Sequence, residues 1–325
     1  MVELSRPRVM LDLLAEHLED LDFLWEQRER VVFSRNWTRR ELADLAAIGE
    51  PTARACACDV LAFHHLPPPA TFAALLSSAT PEVQRLAFNA AGRFGGPWDV
   101  RFLEVALRGA DRALQRAAFE TSARLAAPGI AEVLRRAAAR QEVLAPEALI
   151  YLGILGTDLK LLLATADDPR LADAALAGLG ALGDPAAVPA LIERLEDART
   201  SLAAGEAFLR ITGATDLEAD SPLPPPDDLT EGEADFWDGP RPLDPERTRA
   251  WWSGNGVRFA ASRRWQIGID VSNIQRNPEL LEGLPLDIRR DLFLSARARN
   301  PRYAPDLEPE AHTPAFGAGV SIRSS

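Results

Sequence analysis

The stretch Ala175–Leu195, ALAGLGALGDPAAVPALIERL, contains a literal G-x-G-x-x-G at Gly178, Gly180 and Gly183. In a dinucleotide-binding fold such glycines follow a strand and open a helix, so that backbone N–H groups cradle a pyrophosphate. Here LADAALA (171–177) leads into them at helical spacing, and Gly183-Asp184-Pro185 closes the helix as a C-terminal turn would. Glu196 and Asp197 lie near the spacing of a ribose-binding acid, but they close a helix rather than a strand. The glycines therefore read as small residues that let helices approach one another.

What surrounds them supports that reading. TPEVQRLAFNAAGRFGGPWDVRFLEVAL (80–107) aligns with DRALQRAAFETSARLAAPGIAEVLRRAA (111–138) at a constant offset of 31 residues. Val83 falls on Leu114, Arg85 on Arg116, Phe88 on Phe119, Arg93 on Arg124 and Pro97 on Pro128. Residues 168–195 form a further copy, 143–163 a copy shortened in its loop, and 202–213 a final half-unit. In that register Gly178, Gly180 and Gly183 correspond to Thr121, Ala123 and Ala126 in one copy, and to Tyr151, Gly153 and Gly156 in another. Each unit carries apolar residues at helical spacing, a break at Gly or Pro, and a second apolar helix. Such a unit cannot bury its apolar face alone, so neighbours must stack. The pattern over 80–213 resembles HEAT repeats of the short bacterial, lyase-like type, which implies a mainly α, HEAT-like α-solenoid.

The flanks differ in composition. Residues 10–32 place Leu14, Leu18, Leu21 and Trp25 on one face of an amphipathic helix. Residues 216–246 are acidic and proline-rich, as in a linker or extended arm. Phe236-Trp237 interrupts the acids and is expected to hold part of the arm against the repeats. Beyond it, Asn255-Gly256 offers a turn, RRWQIGIDV (263–271) a short strand, and 277–300 one or two helices. The expected organisation is an N-terminal helical cap (1–78), repeats (79–213), an acidic linker (214–247) and a small mixed C-terminal α+β module (248–325).

The 325 residues are 47% apolar and 26% charged, the balance of a water-soluble globular chain. A formal charge of −12 argues against general nucleic-acid binding. Two cysteines cannot build a disulfide framework, the N-terminus lacks an unbroken apolar stretch, and no run of about 18 apolar residues occurs. These features lead us to expect a cytoplasmic protein with no membrane partner. Cys56, Cys58, His64 and His65 are the one cluster of metal-ligating residue types, but two residues apart on a helix do not share a face. No metal or cofactor is expected. His17 reads as solvent-facing among acids, and neither G-x-S-x-G nor H-E-x-x-H occurs. No catalytic residue is assigned, and the chain reads as a non-enzyme.

Between 79 and 140, ten arginines face six acids, so this segment is basic within an acidic chain. Arg85/Arg116 and Arg93/Arg124 recur with the repeat and are expected to line a concave, partner-binding surface, completed by Trp251 and Trp252. Arg93 and Arg124 also lie near helix C-termini, where a cation is favoured in any case.

LLAEHLEDLDFLWEQRERVV (13–32), GEAFLRITGATDLEAD (205–220) and AWWSGNGVRFAASRRWQIG (250–268) together resemble a proteobacterial family of HEAT-repeat proteins often encoded beside type VI secretion genes. Residues 41–63 depart from the family's usual second helix. The resemblance implies a protein partner, a cognate type VI effector, with this chain as its immunity protein or loading adaptor. The alternative is a DNA-binding HEAT-like protein of the DNA glycosylase kind, which the arginines of 79–140 suit and the net charge does not. A tetrapyrrole lyase rests on the repeat's name alone.

Overall fold

The computed structural model describes residues 46–47, 50–63, 66–95, 98, 101–125, 127, 129–140, 144–224, 239–274, 276, 278–281 and 283–300. The amphipathic helix of 10–32 with His17, the His64-His65 pair and Phe236-Trp237 lie outside them. The chain divides into two compact units, one up to residue 128 and one spanning Gly129–Arg299.

In the first unit α1 (Pro51–Phe63), a 3-10 turn (Phe72–Ser77), α2 (Pro81–Phe94), α3 (Arg101–Leu107) and α4 (Arg112–Arg124) follow one another. Helices α1, α2 and α4 pack side by side as the first helices of successive units, and α3 lies against α4. Asp111 starts α4 by accepting the Leu114 amide at 2.9 Å, and Pro81 opens α2 where a missing N–H costs nothing. Val83, Ala87, Phe88, Ala91, Leu114 and Ala118 join Cys58, Leu61, Phe72 and Leu75 in one core. Phe72 meets Phe94 and Trp98 edge-on, each with ring centroids 5.0 Å away.

The second unit repeats the plan with α5 (Ile130–Ala139), α6 (Ala145–Leu155), α7 (Leu159–Thr165), α8 (Ala172–Leu182), a 3-10 turn (Pro185–Ala187), α9 (Val188–Arg194) and α10 (Ser201–Thr212). Helices α6, α8 and α10 form the inner row, while α5, α7 and α9 each pack on the inner helix that follows. Each inner helix ends on a left-handed glycine, Gly156, Gly183 or Gly213, with φ of +75°, +70° and +62°. The opening glycines stand inside this row. A Cβ on Gly178 would lie 2.7 Å from the Leu149 carbonyl oxygen, and one on Gly180 would lie 3.0 Å from the Ala207 Cα. Gly153 meets the Gly178 backbone in the same way. Here G-x-G-x-x-G is a helix-packing seam.

After α10 the chain runs extended through Leu217–Ala219 and pairs antiparallel with its own return at Pro242–Leu243, with Glu218 opposite Leu243. The two ends of the acidic segment are thus bonded together. Helix α11 (Pro245–Asn255) continues into a 3-10 turn (Gly256–Arg258), so the turn expected at Asn255-Gly256 is the end of a helix. A hairpin follows, with β1 (Trp265–Gln266) and β2 (Ile269–Asp270) joined through Ile267 and Gly268, both at positive φ. A 3-10 turn (Pro278–Leu281) and α12 (Leu286–Arg299) complete the module, whose own core is Val271, Ile274, Leu281, Leu284, Ile288 and Leu292.

Candidate functional site

The arginines that recur with the repeat have different environments. Arg93 lies in the last turn of α2, buried, with Nη1 2.8 Å from the Asp59 carboxylate of α1, also buried. Arg124 is 3% exposed, donates to Glu120 one turn earlier on α4, and lays its aliphatic stem across Gly92. A Cβ at Gly92 would fall 2.9 Å from the Arg124 Cδ, so this glycine makes room for the arginine. Arg93 ties α2 to α1 through an ion pair, while Arg124 pairs within α4 and packs its stem on α2. Of the four arginines expected to line a partner-binding surface, these two turn their side chains onto neighbouring groups of the fold and expose little of them. Arg85 is half-buried on α2 and Arg116 is exposed on α4.

Trp251 and Trp252 are half-buried on α11. Trp251 meets Phe208 of α10 edge-on at 5.8 Å, Trp252 tilts over Phe259 at 5.4 Å, and Phe259 lies tilted against Trp265 at 4.9 Å. The tryptophans thus anchor the module to α10 and keep part of their surface in solvent. Beside them Val257 is 91% exposed and Arg258 is exposed.

Most polar bonding at the module is directed at the ends of the inner helices. Each of those ends leaves carbonyls without helical partners. The Trp265 amide donates to the Gly183 carbonyl at 2.8 Å, Ile267 to Arg210 at 2.7 Å, and Gly268 to Ile211 at 3.1 Å. Gln266 Nε2 donates to the Gly180 carbonyl, and Arg264 Nη2 to the Ala181 carbonyl at 2.6 Å. Arg264 Nη1 reaches Ser295 Oγ of α12 at 2.6 Å. Arg210 donates to Gln266 and to Asp291, 2.5 Å away on α12. Ile267 adopts φ +48°, costly for a β-branched residue, in a turn whose amides cap α10. The close fit at Gly183 explains its lack of a side chain, since a Cβ there would collide with the Trp265 carbonyl and sit 2.7 Å from Gln266 Nε2.

This buried cluster is electrostatically loaded. Burial, the Arg299 charge and the Arg210 charge push Arg264 down to about 9, still high enough to remain a cation at neutral pH. Burial also pushes the Asp291 carboxyl up, against the pull of Arg210. Cations beside three helix C-termini are favoured by the helix dipoles, so the cluster is an arrangement for closing the inner row. Sequence reading missed Arg210, Arg264, Gln266 and Asp291. Their partners are 31 to 86 residues away along the chain, and no local pattern shows such pairings.

At the base of the acidic segment a cleft of about 410 Å³ is lined by Asp216, Glu218, Ala219, Asp220, Arg241 and Arg247. Arg247 binds both Asp220 oxygens at 3.0 Å and the Glu218 carbonyl. In the first unit, burial pushes the Cys56 and Cys58 thiols up to about 12, leaving them protonated and poor nucleophiles at neutral pH. Among the described residues no three His, Cys, Asp or Glu side chains converge to hold a metal ion, and no helix is long and apolar enough to cross a membrane.

Residues 171–197, which hold α8 and α9, match the family model of the PBS lyase HEAT-like repeat. No curated protein matches the chain. The fold is mainly α, a HEAT-like α-solenoid of repeats carrying a small two-stranded hairpin, and repeats of this kind are scaffolds for protein interaction.

Proposed function

We propose that this chain is a non-catalytic scaffold that binds one protein partner, a cognate type VI secretion effector, as its immunity protein or its loading adaptor. The observation that carries the scaffold reading is the use of the chain's unusual residues. The glycines pack helices, the recurrent Arg93 and Arg124 tie helices, and the Arg264 cluster closes helix ends. What remains at the surface is suited to recognition. Arg85 and Arg116 stay accessible on the first unit, and Trp251 and Trp252 keep part of their surface on the second. The resemblance of 13–32, 205–220 and 250–268 to proteins encoded beside type VI secretion genes supports the choice of partner. As an immunity protein the chain acts by occlusion, its acidic residues taking the place of the phosphates that a basic toxin grips. The DNA-binding alternative loses support, because two of the arginines it would use for phosphate contacts are buried in ion pairs.

The test is co-expression with the effector encoded beside it. An immunity protein abolishes toxicity in trans and co-purifies at fixed stoichiometry. An adaptor co-purifies without neutralising. An effector that neither binds nor is neutralised refutes the assignment, and steeply salt-dependent duplex binding revives the DNA reading.

A further inference from the structure

We infer that the exposed face of α11 and the turn that follows it form a docking surface for an acidic protein segment, with Val257 and Trp252 as apolar contacts and Arg258 as the charged one. The inference rests on the scaffold reading and gives it a location. Val257 stands 91% exposed at the tip of the Gly256–Arg258 turn, the most exposed large apolar side chain described. Folding does not account for a β-branched residue there, since it makes no core. Its chain neighbour Gly256 lies against the Trp252 indole, which also packs over Phe259 and is half-buried. Around them Ala250, Ser253, Gly254, Ala260 and Ala261 are exposed and small, so a partner can approach the backbone closely.

Charge selects the partner. Residues 249–263, RAWWSGNGVRFAASR, carry three arginines and no acid in a chain of net charge −12. Arg249 is bound to Glu196 at 2.8 Å and Arg263 to Asp270. Arg258 has only a long 3.5 Å contact to Asn255 and points its guanidinium outward, exposed. Trp and Arg are among the side chains that dominate protein–protein binding energy, and here they flank an exposed aliphatic tip. A partner that pairs a carboxylate with an aliphatic pocket satisfies all three. A nucleic acid is less suited, because one available cation beside an aliphatic tip gives few phosphate contacts.

A photoreactive benzophenone side chain placed at position 257 of the full-length protein, with a second variant carrying it at exposed Val105, tests this directly in the native host. The expected result is a single protein adduct from position 257, mapping to an acid-rich segment. That protein, purified, should bind Val257→Asp at least about 30-fold more weakly than wild type, with Arg258→Glu also weakened and Arg258→Lys near wild type. Val257 is almost wholly exposed, so unchanged thermal melting shows that the variants fold. Equal affinity of the purified partner for wild type and Val257→Asp overturns the inference, as does an adduct only with nucleic acid or with a second copy of this chain. A protein adduct at 105 and none at 257 overturns the surface while leaving the scaffold reading intact. Adducts at neither position refute both.

Discussion

Each unit packs its own set of repeat helices, and the two do so with different materials. In the first, α2 and α4 each end on an arginine, Arg93 or Arg124, whose buried side chain pairs with Asp59 or Glu120. In the repeat register the matching positions of the second unit are Ile154 and Ala181, and the glycines beside them let backbones touch. The arginine has not vanished from the second unit. Arg264 of the C-terminal module reaches the Ala181 carbonyl from outside the repeat and supplies the cation that the repeat lacks. One unit ties its helices from within and the other is closed by an added module. The shared device is a cation at a helix C-terminus, paired with a carboxylate in the first unit and bonded to a helix-end carbonyl in the second.

If that contrast is right, the two rows break differently. The largest effect belongs to the second unit, where Gly178→Val pushes a Cβ to within 2.7 Å of the Leu149 carbonyl oxygen, a backbone atom that cannot move aside. We expect a loss on the order of 3 kcal/mol or more, read by chemical denaturation and by protease sensitivity within 129–299. Gly92→Ala in the first unit meets the flexible Arg124 stem instead and should cost about 1 kcal/mol. Equal costs would erase the distinction between a backbone seam and a side-chain tie.

Next comes the first unit's own tie. Asp59→Ala takes from Arg93 the carboxylate it holds at 2.8 Å in the interior and should destabilise by up to about 3–5 kcal/mol, while Asp59→Leu with Arg93→Met should recover most of that loss. A double variant no better than the single would mean that the pair is more than a substitute for apolar packing. Either outcome is read from melting of the first unit, with affinity for the partner of Val257 unaltered.

The repeats and their glycines were legible in the sequence because each unit states its pattern locally. Apolar spacing, a Gly-Asp-Pro stop and a constant offset occur within about thirty residues, which is all that helix formation and nearest-neighbour stacking consult. Arg93 and Arg124 were legible as recurrent but not as buried. Recurrence has the same appearance whether a side chain faces solvent or a carboxylate on the previous helix, and Asp59 lies 34 residues upstream, within α1 and before the repeat begins. The module's grip on α8 and α10 was not legible at all. It depends on backbone carbonyls, which have no sequence signature, and on an isoleucine at positive φ where residue preference alone favours Asn or Gly.

A third variant tests whether the module is structural. Arg264→Met removes the bonds to Ala181 and Ser295, and each hydrogen bond from a charged group is worth roughly 1.5–3 kcal/mol. We expect a loss of about 2–4 kcal/mol confined to the second unit, with hydrogen exchange rising first at the ends of α8 and α10. Protection unchanged at those ends would show that the hairpin rests on the helices without holding them.

The smallest effect is also the most specific, because two aspartates of the second unit carry opposite signs. Burial raises the Asp291 pKa, so the folded state holds its proton more firmly than the unfolded chain does. Its contribution to stability therefore falls as pH rises from the unfolded value, about 4, through the folded one. Asp158 behaves the other way. Burial opposes its ionisation, but hydrogen bonds from Arg135 at 2.8 Å and from Thr157 outweigh it, and its pKa is lowered. Its contribution is present above about pH 4 and is lost as acid titrates it through the lowered value. Asp158→Asn should accordingly lower stability at neutral pH and flatten the acid limb, whereas Asp291→Asn should remove the decline above pH 4 and leave that limb in place. Denaturation midpoints between pH 3 and pH 7 separate the two. Parallel curves would mean that the Arg210–Asp291 pair outweighs burial and that the module is held by its ion pair. Diverging curves would leave the helix-end hydrogen bonds as the principal grip.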